Sequence, residues 1–166
     1  LRVLRPVGCT LPVQLWNFRA ELTARDRRLV DVLGCDCVDS DEHAQATGFD
    51  WHRSWWKGWQ LKSYALLHSP FREVLWLDAD CYPTRDPEYL FDDLLYRERG
   101  SLFWPDLSDS SCPLPADAPL IFGAPALGDL PCEAGQLLID KGLCWRELTL
   151  ALFLNRHADF TYRLLW

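Results

Sequence analysis

Four apolar residues in a row, Val74-Leu75-Trp76-Leu77, stand between a break at Ser69-Pro70 and a pair of aspartates, Asp78 and Asp80. A short run of this kind, rich in β-formers and bounded by turn residues, predicts a buried strand of an α/β sheet. Before it, Gly58 to His68 predicts a helix that buries Trp59, Ala65 and Leu66 and ends ahead of Pro70. After it, Asp86-Pro87-Glu88 has the order of a helix start: Asp as N-cap, Pro in the first turn and an acid at the positive end. That helix carries Tyr89, Leu90, Phe91, Leu94 and Leu95, leaves Asp92 and Asp93 on a wet face, and is stopped by Gly100. Ser101 to Trp104 and Leu137 to Lys141 read as two further strands, with loop over 107–119. A last helix runs from about Gly142 to Asn155 and offers Trp145, Leu148, Leu150, Leu152 and Phe153 to a core.

The N-terminal third is less regular. Arg2 to Arg5 reads as the end of a first strand, Gly8 to Pro12 as a loop, and a helix from Val13 carries Leu15, Trp16, Phe18, Leu22 and Leu29. Val30 to Leu33 fits a helix end or a strand, and Asp36 to Phe49 is polar enough for a loop. Strands alternating with helices give the fold class: α/β, with a mixed, mainly parallel sheet flanked by helices.

Composition narrows the function. A chain of 166 residues with 49% hydrophobic positions is one domain's worth and can bury a sizeable core. A net charge of -7 argues against nucleic acid or an anionic membrane as partner, so any phosphate ligand calls for a metal or a few local cations. No apolar run approaches the ~20 residues of a membrane span, so no membrane contact is expected within this segment. The absence of Met and the apolar run at Phe160 to Trp166 lead to the expectation of a piece of a longer protein, incomplete at both ends. Seven Cys cannot all pair within one chain, Cys35-Asp36-Cys37 lacks zinc spacing, and Cys112 with Cys132 is a candidate disulfide beside the equal option of buried free thiols.

The chemistry gathers at Asp78-Ala79-Asp80. Carboxylates two apart on an extended segment point to the same side, and the carboxyl ends of strands are where open α/β sheets bind ligands. Two acids converging on one point repel unless a cation lies between them, and their oxygens suit Mg2+ or Mn2+. Such an ion can bridge a substrate diphosphate, which points to a metal-bound nucleotide; the alternative is a pair that merely caps the next turn. Lys62, on the helix leading into this strand, is a candidate for the donor's phosphates. Asp106 stands at the end of another strand, and Glu133 and Gln136 flank a gap of small residues at Ala134-Gly135 through which a ligand can approach the backbone. Asp50 to Trp59 holds four of the nine Trp, able to stack on a sugar or base but read here first as packing beneath a long loop, while His52 carries no role.

With these pieces placed, the chain resembles a metal-dependent GT-A glycosyltransferase and, more closely, the alpha-mannosyltransferase family of fungal Golgi enzymes. The resemblance rests on Gly8 to Trp16, on Leu61 to Leu67 running through Phe71 to Asp80, on Phe103 to Asp106, and on Glu133 to Lys141, in the family's order. It implies a GT-A domain over residues 1–166 that transfers mannose from GDP-mannose to a glycan or glycoprotein acceptor, with retention. It also implies residence in the Golgi lumen as part of a single-pass type II membrane protein. Residue by residue, Asp80 would be the direct Mn2+ (or Mg2+) ligand and Asp78 a contact to the ribose or the metal shell. Lys62 would lie near the diphosphate, and Asp106, Glu133, Gly135 and Gln136 would line the sugar pocket, with Glu133 and Gln136 catalytic. Ala134 stands where the family motif carries Ser, and a further metal ligand is expected C-terminal to this segment.

Three other readings compete. A GT-A transferase using a UDP-sugar shares the same Asp-x-Asp. A haloacid-dehalogenase phosphotransferase places Asp-x-Asp after an apolar strand too, but wants Thr or Val where Tyr82 stands. An inactive sugar- or nucleotide-binding remnant is the reading outside catalysis.

Overall fold

The computed structural model describes residues 2–18, 21–51, 57–106 and 132–165. These form a mixed α/β arrangement of two small sheets and the helices packed on them. The first sheet is a parallel pair, β1 (Gln14–Asn17) and β2 (Asp36–Asp39), joined through helix α1 (Ala24–Val32). Helix α2 (Ser40–Thr47) follows directly, and α3 (Lys57–His68) leads into β3 (Glu73–Leu77). A 3-10 helix (Pro87–Asp92) and the short α4 (Leu94–Arg99) precede β4 (Ser101–Pro105). After β5 (Cys132–Asp140) come α5 (Trp145–Arg156) and α6 (Ala158–Leu165).

The second sheet has the order β3-β5-β4, with β5 antiparallel to both neighbours. This corrects the expectation of a mainly parallel sheet: among the described residues only β1 and β2 pair in parallel. The reason is the direction of β5, which returns between β3 and β4 and leaves those two parallel to each other across it. Val74 and Trp76 of β3 and Leu137 and Ile139 of β5 face one side and pack with Leu66 of α3 and Leu148 of α5. Trp76 also packs against the neighbouring cluster of Phe18, Leu61 and Ala65, so it joins the two cores.

Several expected elements differ. The segment from Val13 begins with strand β1 rather than a helix, and residues 2–8 are turns rather than a strand. The helix starts later because Thr23 and Asp26 form a capping box, each side chain accepting from the other's backbone N–H. Val30 belongs to the end of that helix. The polar stretch after Asp36 is ordered: β2 draws its bonds from β1, and Asp39 caps α2 by accepting from Asp41 and Glu42 N–H. The helix expected from Asp86 divides in two. Asp86 caps the 3-10 turn, and Asp93, expected on a wet face, caps α4 through Leu95 and Tyr96 N–H. Gly100 ends α4 at φ +71, as expected, and a Cβ there would meet the Leu143 side chain at 2.8 Å. On α5 only Leu148 is fully buried, while Trp145, Leu150 and Phe153 are exposed; Trp59 on α3 is exposed too. Cys132 is a free thiol, as are Cys9, Cys35, Cys37, Cys81 and Cys144; Cys112, its candidate partner, lies outside the described residues, as do His52, Trp55, Trp56 and the loop after Asp106.

Two polar anchors tie the layers together. Tyr64, fully buried on α3, shares its hydroxyl with His43 Nδ1 and Thr47 Oγ1 of α2, each at 2.8 Å. At the far end of β5, Asp140 accepts both arms of Arg72 at 3.1 Å and the Gly142 N–H at 2.7 Å. The Arg72 guanidinium holds the Asp140 carboxyl below the usual carboxylate range.

Leu138, completely buried at the centre of β5, marks the part of the sheet on which the rest depends. Leu138→Ala is expected to lower unfolding free energy by about 2–5 kcal/mol in a denaturant titration, against about 0.5 kcal/mol or less for Leu94→Ala, which is 86% exposed. Because Asp140 titrates lower folded than unfolded, its contribution is complete above about pH 4 and is lost as pH falls through its folded value. The unfolding midpoint of the natural chain is therefore expected to fall between pH 7 and pH 3, and Asp140→Asn is expected to narrow that difference while lowering stability at pH 7.

Candidate active site

Strand β5 pairs regularly with β3, Leu77 opposite Gln136, and the Asp78 N–H extends the ladder by one bond to the Gly135 carbonyl at 2.8 Å. On its other side the ladder with β4 is broken. Phe103 faces Leu137, but Trp104, the next residue, faces Glu133, so Ala134, Gly135 and Gln136 stand between two consecutive β4 positions. A bulge of this kind re-aims side chains and frees backbone groups. The stretch it frees is the one the sequence singled out by its small residues.

The freed Ala134 carbonyl accepts from Lys62, whose Nζ also lies 3.1 Å from each carboxylate oxygen of Asp78. Asp78 accepts from the Trp76 indole N–H at 2.5 Å as well. Trp76 and Asp78 are two apart on the strand and share a face, the same one α3 covers, which is how a helix lysine reaches the aspartate. Lys62 and Asp78 are therefore already partners across the helix–sheet boundary.

Asp80 is exposed on the turn beyond Asp78, where the Cys81 N–H bonds back to the Asp78 carbonyl at 2.9 Å. Glu133 is exposed at the start of β5, and its Oε1 accepts from the Gly135 N–H at 2.7 Å. Gly135 itself is buried. A Cβ on it would lie 3.0 Å from Cys81 Sγ, 3.1 Å from Glu133 Oε1 and 3.8 Å from Asp78 Oδ2. A Cβ here would be a tight fit that Cys81 and the Glu133 carboxylate could meet only by shifting a few tenths of an ångström. Burial, and then the charges of Asp80, Asp78 and Glu133, push the Cys81 thiol up, which locates Cys81 among the three acids.

Asp78, Lys62, Gly135 and Glu133 thus share one locality, with Asp80 at its edge. Gln136 points elsewhere. Opposite Leu77, it lines a cavity of about 160 Å3 on the sheet face away from α3, with Leu75, Tyr82, Arg85, Tyr89 and Trp104 among its walls. Asp106, partly buried, follows β4. Sequence reasoning passed over Trp76, Cys81 and the aromatic walls of the cavity. The two-residue alternation along β3 was signal enough to put Trp76 beside Asp78.

The donor set is suited to a hard divalent ion that shares its shell with a substrate. Mg2+ and Mn2+ are commonly held by one or two carboxylates together with phosphate oxygens. Here Asp80 is the carboxylate open to solvent, and Asp78 keeps 37% of its side chain exposed despite its bonds. Among the described residues, the ligand-type side chains gathered within 4.8 Å of one another are Cys9, Asp86 and Glu88 instead. That group is a tether: Glu88 accepts from the Thr10 N–H and hydroxyl and fastens the N-terminal segment to the loop after the aspartates.

Comparison with known proteins places the chain. The family model "Mannosyltransferase putative" matches residues 1–117. The chain is 41% identical to alpha-1,2-mannosyltransferase MNN2 of Saccharomyces cerevisiae, an alignment covering 98% of this chain and 33% of the relative. It is 32% identical to alpha-1,2-mannosyltransferase MNN21 of Candida albicans, covering 98% of this chain and 31% of that protein. The chain therefore spans about a third of the length of these curated relatives. No solved structure gives a significant match. On the family model and on relatives matched along nearly its whole length, the chain belongs to the fungal mannosyltransferase family.

Proposed function

We propose that this chain is part of a retaining GT-A glycosyltransferase that transfers mannose from GDP-mannose to a glycan or glycoprotein acceptor, with Mn2+ or Mg2+ bound at Asp80. The observation that carries the proposal is the junction of Asp78-Ala79-Asp80 with the bulge at Glu133 to Gln136, in a chain of this family. GDP is favoured because it is the nucleotide that carries activated mannose, and retention because that donor is α-linked and the relatives' names record alpha products. The strand–helix–strand unit at the N-terminus, with its parallel pairing, is compatible with a GT-A sheet. The same reading assigns the reaction to the Golgi lumen, on a single-pass type II membrane protein. No helix among the described residues is long and apolar enough to cross a membrane.

In this reaction the bond from the sugar carbon to the phosphate oxygen breaks, and its electron pair leaves with the diphosphate. The acceptor hydroxyl forms the new bond to that carbon and passes its proton to the departing diphosphate. A bound divalent ion supplies charge stabilisation to the leaving diphosphate. Asp80, exposed on the turn, would be its protein ligand. Asp78 contributes by position: fixed by the Lys62 ammonium and the Trp76 indole, it holds the turn that presents Asp80 and faces the ribose or the metal shell. Lys62 offsets one of the carboxylate charges and brings a cation to the diphosphate side. Glu133, oriented by the Gly135 N–H, is the carboxylate that can face a sugar carbon gaining positive charge, or add to it in a double displacement. Gly135 keeps the backbone low enough for the sugar to approach, and Asp106 completes its surroundings, while Gln136 lies on the other face of the sheet.

Calorimetric titration of the full-length protein with GDP and with UDP, each with and without Mn2+, tests the donor site. GDP is expected to bind at least tenfold more tightly with Mn2+ than without, and Asp80→Asn to abolish that gain with the unfolding midpoint unchanged. A preference for UDP would move the donor, and binding that ignores both Mn2+ and Asp80 would remove the metal. For Glu133→Gln, kcat in a transfer assay is expected to fall by about 100-fold or more while GDP affinity stays within twofold. Full activity in that variant would exclude Glu133 from the chemistry.

A further inference from the structure

At the end of α3, nearly two turns past Lys62, two histidines meet that the proposed reaction does not use. His43 of α2 and His68, the last residue of α3, have ring centres 5.2 Å apart, with the rings inclined at 69°. Both rings pack on the buried Tyr64, at 5.6 Å for His43 and 4.2 Å for His68.

The hydrogen bonds leave particular nitrogens open. His43 Nδ1 is paired with the Tyr64 hydroxyl at 2.8 Å, and that hydroxyl is in turn 2.8 Å from Thr47 Oγ1. His43 therefore has Nε2 to offer. Among the described residues neither ring nitrogen of His68 has a hydrogen-bond partner. A histidine that binds a metal through one nitrogen commonly has the other fixed by a hydrogen bond, which sets its tautomer and orientation. Tyr64 stands in that relation to His43. Partial burial against Tyr64, and then the charges of His43 and Lys141, hold His68 below the usual histidine range, so at pH 7 it is neutral and has the lone pair a metal needs. Lys141 itself donates to the Leu67 and Ser69 carbonyls, at the end of α3 where the helix dipole favours positive charge.

The spacing selects the metal. At a zinc–nitrogen distance of about 2.0–2.1 Å, two imidazoles on one tetrahedral ion have ring centres about 5.2 Å apart, whereas ligands at right angles, as in tetragonal copper(II), bring them to about 4.5 Å. The observed separation is the tetrahedral one. Imidazole nitrogen also sets this pair apart from the Asp80 corner, since Mg2+ and Mn2+ prefer oxygen.

We propose that His43 and His68 form a zinc-binding site that clips α2 to the end of α3. No third histidine, cysteine or carboxylate among the described residues completes a triad with them, so water takes the other positions of the shell. The clip acts where the fold is held least: α2 buries only Ser40 and Ala44 completely. The inference goes beyond the donor-site reading and does not depend on it.

Calorimetric titration of the chelator-treated full-length protein with Zn2+, beside thermal unfolding with and without the ion, tests the site. Zn2+ is expected to bind the natural protein and raise its unfolding midpoint. His43→Ala and His68→Ala are each expected to weaken one binding event at least tenfold and to remove the rise. Tyr64→Phe, which keeps the ring and loses the hydroxyl, is expected to weaken the same event by about 10–100-fold. Asp80→Asn is expected to leave it within twofold. His68 is exposed, so its truncation leaves the core intact, and an unchanged midpoint without metal verifies this. Absence of Zn2+ binding, or equal binding in the natural protein and both histidine variants, would overturn the proposal. Binding lost in Asp80→Asn but kept in the histidine variants would do the same and move the ion to the aspartates. Histidine-dependent Zn2+ binding in a protein that binds no GDP with Mn2+ would keep this site and reject the donor reading.

Discussion

One backbone hydrogen bond, from the Asp78 N–H to the Gly135 carbonyl, joins the two halves of the candidate site. It is the last rung of the β3–β5 ladder, and it forms only because β5 runs antiparallel between β3 and β4 and reaches past the end of its neighbour. The β4 side of β5 gives up regular pairing at the same place. The Ala134 carbonyl is thereby free to accept from Lys62, while Gln136, opposite Leu77, faces the other side of the sheet. A residue with a side chain at position 135 would press on Cys81 and the Glu133 carboxylate.

Electrostatics favours a cation in the proposed reaction. Asp78, Asp80 and Glu133 bring three negative charges to one corner of an acidic chain, and Lys62 answers only Asp78. A nucleotide diphosphate approaching this corner would be repelled without a bound divalent ion. The division of labour between the two aspartates follows from their surroundings. Asp78 is tied down by an ammonium and an indole on the covered face of the sheet, whereas Asp80 lies on an exposed turn with the Cys81 thiol as its side-chain partner.

The parts of the fold legible in the sequence are those with an unambiguous period or a strong stop. β3 was marked by four apolar residues between a proline and two acids, α3 by its approach to Ser69-Pro70, and the end of α4 by Gly100. The first third was misread because Leu15, Trp16 and Phe18 fit a helical stripe as well as a strand buried on both faces. The capping box of Thr23 and Asp26, which moves the helix start downstream, is a short-range signal the apolar pattern obscured. Residues 36–47 looked like loop because α2 buries only Ser40 and Ala44 completely, so its face carries almost no apolar signature. In the site, the acids and the small residues were readable from spacing. The Lys62–Asp78 pair, the bulge and the cavity were not, since each depends on where β5 lies against β3 and β4, and strand direction is not written in a single strand's composition.

The aspartate pair, with its metal, is proposed to drive mannosyl transfer. The most direct measurement is product formation by the full-length protein from GDP-mannose and an α-mannoside acceptor, after chelation and again after Mn2+ is restored. No product is expected without the metal, with recovery on adding it back and an α-linked mannose in the product. Transfer that continues undiminished after chelation, or a folded protein that makes no product from GDP-mannose with Mn2+ present, would contradict it.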